Sequence, residues 1–332
     1  MSFPIASDGA GPLRNAARVK AIGHDLGFDL VGIAPAEASC YGAELGQWLA
    51  EGRHAGMAYM AQCADQRTDI RRWLPGARSV IVAAVNYWHP TPAAGPDVAV
   101  FAQYAAGADY HRWMRRRLVR LGRALTVLAG EPVAWRPFAD TSPILEREQA
   151  MRAGLGWIGK NAMLINHRIG SYLLLGGLAT TMLLAADPPQ SFHCGTCTRC
   201  MDACPTRAII APHVVDSRRC IAYHTIESRD PIPDAVARAM GNRVFGCDIC
   251  QEVCPMNRRP DTRKGGNLTI TRHQALHPRP ATVGRRLSDL VTLSDREFAS
   301  QFSGSAVRRA GAAGLRRSAR ASLGSRRAAG SH

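Results

Sequence analysis

The chain has 332 residues, 46% of them hydrophobic and 20% charged, with a formal net charge of +16. That apolar share suits a folded soluble protein of one large or two to three smaller domains and excludes a disordered chain. The opening Met1-Ser2-Phe3-Pro4 has no basic region followed by an apolar core, so no secretory signal is expected.

In chain order, Leu13–Leu26 reads as an amphipathic helix and Leu30–Ala34 as a strand, with Leu45, Trp48 and Leu49 marking a second helical face. Val80–Val85 is a valine-rich run after Pro75-Gly76, hence a buried strand. Asp109 is placed to cap a helix in which Met114, Leu118, Leu121, Leu125 and Leu128 recur at spacings of three and four. Arg112, Arg115, Arg116, Arg117, Arg120 and Arg123 fill much of the remaining surface of that helix. A strand over 132–138 leads to the turn-like Ala139-Asp140-Thr141-Ser142-Pro143, then to a helix over 144–152 that ends at Gly154. Ile169–Ala186 has the length of a short membrane span, but Gly176, Gly177, Thr180 and Thr181 interrupt it. Two buried strands are the better reading, and no membrane is expected. Alternating helices and apolar strands over the first 185 residues indicate an α/β or α+β domain.

Eight of the ten cysteines follow. Cys194, Cys197, Cys200 and Cys204-Pro205 form C-x2-C-x2-C-x3-C-P, and Cys247, Cys250 and Cys254-Pro255 echo it, with Cys220 between. This is the run by which bacterial ferredoxins hold [4Fe–4S] clusters, the fourth cysteine ligating the other cluster. Exchanging the fourth ligand gives Cys194, Cys197, Cys200 and Cys254 for one cluster, and Cys204, Cys220, Cys247 and Cys250 for the other. Two tetrahedral zinc sites would also consume eight cysteines, but the spacing favours iron–sulfur. Cys40 and Cys63 stand apart and read as ordinary buried side chains.

Gly154-Leu155-Gly156-Trp157-Ile158-Gly159-Lys160 satisfies G-x-G-x-x-G, yet the residues before it look helical where a nucleotide site needs a strand. The glycines are expected instead to allow close backbone approach to some other cofactor. After Glu297 there is no acidic residue, while Arg308, Arg309, Arg316, Arg317, Arg320, Arg326 and Arg327 supply positive charge. Short helices are expected over 298–323 and a frayed Gly/Ser/Ala-rich end. Only Lys20, Lys160 and Lys264 are lysines, so the basic charge is nearly all guanidinium, suited to phosphate contacts.

With these pieces in place the chain resembles the epoxyqueuosine reductases. The matching stretches are Tyr104-Ala105-Ala106-Gly107-Ala108-Asp109-Tyr110-His111, the Asp140 segment through Leu145-Glu146-Arg147, and Ala153 through Asn161. They continue through Gly170-Ser171-Tyr172, both cysteine runs, Cys220 through Glu227, and Gly241 through Gly246. The resemblance implies an α+β protein: an α/β cobalamin-binding domain over 1–185, a ferredoxin-like double [4Fe–4S] domain over 186–265 and a short helical C-terminal segment over 266–332. It implies reduction of epoxyqueuosine at the wobble position of tRNA, with cobalamin at the reacting centre. Electrons would come from a flavodoxin- or ferredoxin-type donor, in the cytoplasm, to a protein expected to act as a monomer. Asp140 is then the proton donor, its pKa raised by burial against the corrin face. Arg67, Leu164, Leu175 and Asp248 match cofactor-contacting positions. Gln103, Ala108, Ala222, His224 and Met256 depart from the residues common in the family. The competing readings are a reductive dehalogenase-like enzyme on a small organohalide and a ferredoxin-type electron carrier. The basic tail weighs against the first, and the second leaves the first 185 residues without a role.

Overall fold

A computed structural model of the chain describes residues 10–91, 94–258 and 266–329. The opening residues 1–9 and the last three residues, to which the absent signal and part of the frayed end refer, lie outside those described. Helix α1 (Ala10–Asp25) turns into strand β1 (Leu30–Pro35), and the Leu45–Trp48–Leu49 face becomes α2 (Gly42–Ala50). Short helices α3 (Ala64–Thr68) and α4 (Ile70–Trp73) lead to β2 (Ser79–Asn86), in which all eight residues are buried. After β3 (Val100–Phe101), Asp109 accepts a hydrogen bond from the His111 backbone N–H and so caps α5 (Tyr110–Ala129). Met114, Leu118, Leu121 and Leu125 are buried as the spacing requires, and Arg112, Arg115, Arg116, Arg120 and Arg123 are exposed.

Strand β4 (Trp135–Phe138) and helix α6 (Glu146–Arg152) flank the Asp140 turn. Strands β5 (Trp157–Ile158) and β6 (Leu164–Ile165) form a small hairpin ahead of β7 (Leu173–Thr180). Only one strand forms within 169–186, not two. The Thr180 hydroxyl donates to Ala134 O and accepts from Met182 N–H, which turns the chain out of the sheet.

The main sheet runs β1-β2-β7-β4, with Ile33 opposite Ile81, Ile81 opposite Leu178 and Leu178 opposite Pro137. Every pairing in it is antiparallel, so this unit is α+β and the expected α/β organisation is corrected. The alternation of helices with apolar runs arises because helices cover both faces of an antiparallel sheet. One apolar layer joins Phe28, Ile33, Ile81, Met114, Leu118 and Leu178; the other joins Ile70, Trp73, Val80, Val82, Phe138 and Leu175. Burial on both sides removes the in/out alternation that usually marks an antiparallel strand. Gly122 lets α5 seat on β4, because a Cβ there would lie 2.5 Å from the Trp135 ring. The start of α5 is thereby brought to the end of β4, where Asp140 sits.

The cysteine region contains α7 (Arg199–Asp202), a hairpin of β8 (Ile209–Ala211) and β9 (Val214–Val215), a π-helical turn at Tyr223–Glu227, α8 (Asp234–Met240), β10 (Arg243–Phe245) and α9 (Ile249–Glu252). Parallel pairing of β10 with β3 fastens it to the first region. Beyond it come α10 (Leu287–Val291), α11 (Asp295–Gln301) and α12 (Gly311–Ala329). The expected short helices over 298–323 are in fact the end of α11, a 3-10 turn and one long helix, which runs past Leu323 to Ala329. Leu315 and Ala319 of α12 are wholly buried against Val244, Phe245, Leu290 and Phe302, and that packing carries the helix onward. No helix among the described residues is long and apolar enough to cross a membrane.

Candidate functional site

The eight motif cysteines are free thiols of intermediate exposure. Helices α7 and α9, carrying Cys200 and Cys250, pack against each other. Cys254 lies within charge range of Cys194, Cys197 and Cys200, and Cys220 within range of Cys204, Cys247 and Cys250. Backbone N–H groups reach the sulfurs: Ala208 N–H to Cys204 Sγ at 3.2 Å, Met201 to Cys200, Ala222 and Tyr223 to Cys220, Ile249 to Cys247, and Met256 to Cys254. Burial pushes the Cys247 thiol up to about 12 and the Cys254 thiol to about 11, so these sulfurs need a bound cation to become thiolates near neutral pH. A cluster supplies that cation, and the N–H groups suit its sulfur charge. Cys40 and Cys63, expected to be buried, are exposed: they lie at the loops before α2 and α3, where no core receives them.

The glycine-rich segment has a helix before it, α6, and the short strand β5 within it, the reverse of a nucleotide loop. Within the chain, its glycines make close approaches to the hairpin strand β6. A Cβ on Gly156 would meet Ile165 O at 2.1 Å, and one on Gly159 would meet Ile165 Cδ1 at 2.4 Å. The segment braces the cysteine loops: Lys160 Nζ donates to Gly195 O at 2.7 Å, and Asn161 Nδ2 to Cys250 O at 3.3 Å.

Asp140 lies in the turn between β4 and α6 at a φ of 55°, a left-handed conformation that costs a non-glycine residue about 1 kcal/mol. Two contacts hold it there. Its backbone N–H donates to Glu146 Oε1 at 2.5 Å, and its Oδ2 lies 3.0 Å from His111 Nε2. His111 Nδ1 lies 2.5 Å from Asp109 Oδ1, and the imidazole stacks on Tyr110 with ring centroids 4.2 Å apart. Burial alone would lower the His111 pKa, but hydrogen bonds to Asp109 and then Asp140 outweigh it and push it up to about 9. Burial, and then the Asp140 carboxylate, push Glu146 up to about 8. The chain leaves the Asp140 side chain 56% exposed, so the burial expected at this residue is not supplied by the protein itself.

Arg67 Nη2 donates to Tyr59 O at 3.1 Å, its Nε is buried without a partner, and Glu146 is within charge range. Arg309 comes from the C-terminal segment, grips Glu227 with bonds of 3.1 and 2.7 Å, and lies 5.9 Å from the Tyr59 ring. Arg67, Tyr59 and Arg309 thus gather around the Asp140 turn. Asp248 is 7% exposed and its carboxylate is engaged internally, accepting from Gln103 N–H at 2.7 Å. Leu164 and Leu175 are buried in the apolar layer shared with Phe138. His224 is buried, with Nε2 at 2.8 Å from Arg218 O. Sequence reasoning gave Asp109 only a capping role, counted Arg309 only among the basic tail, and gave no role to His111, Glu146 or Tyr59. His111 and Glu146 stand in the quoted matching stretches, which was the available signal.

A family model described as a 4Fe-4S double cluster binding domain matches residues 193–257, and one described as epoxyqueuosine reductase QueG, DUF1730 matches residues 67–141. An epoxyqueuosine reductase of Gloeobacter violaceus is 44% identical over 313 residues, covering 93% of this chain and 96% of its own. One from Synechocystis is 43% identical over 298 residues, covering 88% of this chain and all of its own. Among solved structures, an epoxyqueuosine reductase with a tRNA-Tyr epoxyqueuosine-modified stem loop superposes with a TM-score of 0.84 at 28% identity, covering 93% of this chain and 81% of that one. A Bacillus subtilis enzyme, described with an aspartate catalytic loop swung out of the active site, gives 0.83 at 27% identity, with the same coverage.

Proposed function

The chain belongs to the epoxyqueuosine reductase family, an oxidoreductase family of queuosine and tRNA modification, and from that premise we propose that it reduces epoxyqueuosine in the anticodon stem-loop of tRNA to queuosine in the cytoplasm. The chain carries a 4Fe-4S double cluster domain. We assign one cluster to Cys194, Cys197, Cys200 and Cys254 and the other to Cys204, Cys220, Cys247 and Cys250, a division the proximity of the sulfurs supports. In the proposed division of labour, residues 1–185 hold the reacting centre, 186–265 the clusters and 266–332 a basic helical segment.

The donor set fits a corrinoid. The unpartnered Arg67 Nε suits a polar side arm, and the Asp140 carboxylate is left open for a bound group to cover. Cobalamin would supply a reduced metal able to attack an epoxide carbon, with electrons fed singly through the clusters by a flavodoxin- or ferredoxin-type donor. The residues of this chain do the rest. Arg67 orients the bound group, Asp140 delivers a proton to the oxygen as the carbon–oxygen bond breaks, and Glu146 and His111 keep the Asp140 turn in place. Exposed arginines of α5 and the basic tail suit the tRNA backbone.

The observation that carries this reading is an aspartate held left-handed by two fixed contacts and left open to substrate. Asp140→Ala, reconstituted anaerobically, should keep its iron and bind cobalamin as the parent does, yet lose on the order of 10²-fold or more in queuosine formation on an epoxyqueuosine stem-loop. Undiminished turnover would remove Asp140 from the mechanism.

A further inference from the structure

Turning an epoxide into an alkene breaks two carbon–oxygen bonds and releases the oxygen as water. Two electrons and two protons are consumed. A single carboxyl holds one proton, so Asp140 cannot complete a turnover unless it is reloaded. The geometry around Asp140 contains the reloading group. Both ring nitrogens of His111 face carboxylate oxygens, Nδ1 toward Asp109 at 2.5 Å and Nε2 toward Asp140 at 3.0 Å. Only the doubly protonated imidazolium donates to both. Asp109 is itself fixed, accepting the His111 backbone N–H at 3.0 Å as the cap of α5, and Tyr110 stacks on the ring. The imidazole therefore has one orientation, with its Nε2 proton aimed at Asp140 Oδ2.

We propose that His111 is the positioning residue that reloads Asp140, passing its Nε2 proton to the carboxylate after the first proton has left, with Asp109 holding the imidazole in register. The inference rests on the family reading above. In the balanced step, the His111 N–H bond breaks as an O–H bond forms on Asp140. Asp140 has by then given its first proton to the opened oxygen, and its second completes the water. Two one-electron equivalents come from a low-potential carrier, or from dithionite in the assay. His111 regains its proton from solvent, because its side chain is 34% exposed. Other groups facing the pair are Arg112 beside Asp109, Glu146 from α6, Tyr104 from the preceding turn, and Tyr59 and Arg309 opposite. The nearby Glu146 carboxyl is raised to about 8, but it engages the Asp140 backbone N–H and not its carboxylate.

The test uses the cluster- and cobalamin-loaded enzyme with dithionite across pH. The parent should hold its rate until pH approaches about 9, where His111 loses its proton. His111→Gln keeps a hydrogen-bond donor but no transferable proton. Its loss should be small in acid and grow to on the order of 10²-fold above neutrality, in kcat and not KM. Histidine NMR on the oxidised cluster-loaded protein gives a readout independent of turnover: Asp109→Asn should lower the His111 pKa by at least about one unit. A His111→Gln profile parallel to that of the parent at every pH would overturn the relay, as would the same pH-dependent loss appearing in Glu146→Gln instead. A parent that makes no queuosine at any pH would count against the family reading, whereas normal parent turnover with an unmoved His111→Gln profile counts against the relay alone.

Discussion

Residues 10–186 bury an apolar layer on each side of the β1-β2-β7-β4 sheet, whereas among the described residues the cysteine region centres a small apolar cluster of Ile221, Val236 and Met240. The first region is held by the hydrophobic effect; a fully buried leucine or isoleucine contributes about 1.5–3 kcal/mol there. The second has helices of four residues at α7 and α9, too short to stand alone, and eight partly exposed thiols. A buried seam joins the two: Ser171 donates to Gln251 Oε1 at 2.9 Å, and Asn257 Oδ1 accepts the Ser171 backbone N–H at 2.8 Å. The contrast sets a unit with its own apolar core beside one whose 4Fe-4S double cluster motif has little core of its own.

Removing iron should break the contrast most visibly. Chelation ought to abolish amide-exchange protection over 193–257 while β2 and β7 remain protected. Equal protection in both regions after the iron has gone would mean that the cysteine region supports itself. The complementary perturbation is Leu178→Ala, at a wholly buried position in β7 paired with Ile81. It should cost about 3 kcal/mol in denaturant unfolding and leave iron content unchanged. Loss of iron in that variant would show that the seam transmits damage from sheet to clusters.

What the sequence disclosed divides along the same line. Val80–Val85 was legible as a buried strand because both faces of β2 are covered, and that same coverage concealed the antiparallel pairing. The double-cluster domain over 193–257 was legible because a cubane fixes the local spacing of its cysteine motif, whatever the surrounding fold. Asp140 was singled out only through family likeness, since an aspartate before Ser142-Pro143 is otherwise an ordinary turn residue. The contacts that give it meaning were not. His111 lies 29 residues away and is delivered by the seating of Gly122 on Trp135; Arg309 reaches Glu227 across 82 residues. No local pattern encodes such meetings, because they depend on how whole elements dock.

The smallest expected effect lies at the Asp140 turn, where a folded-state preference for protons trades against stability. The Glu146 carboxyl is raised from 4.5 to about 8 by burial and by the neighbouring Asp140 charge. Between those values the folded protein holds a proton that the unfolded chain has released, so stability is greatest below the lower value and falls as pH rises towards the upper. His111, raised from 6.5 to about 9, acts with the same sign: its contribution is complete below the lower value and is lost as pH climbs through the upper. Glutamine at 146 keeps an oxygen to accept the Asp140 N–H but has nothing to ionise. Glu146→Gln should therefore match the parent in acid and exceed it by at least about 1 kcal/mol near pH 8. Thermal melts across pH read this directly. If the variant falls with pH as steeply as the parent, the alkaline loss belongs to His111, and the turn is then governed by the imidazole and not by the carboxyl beneath it.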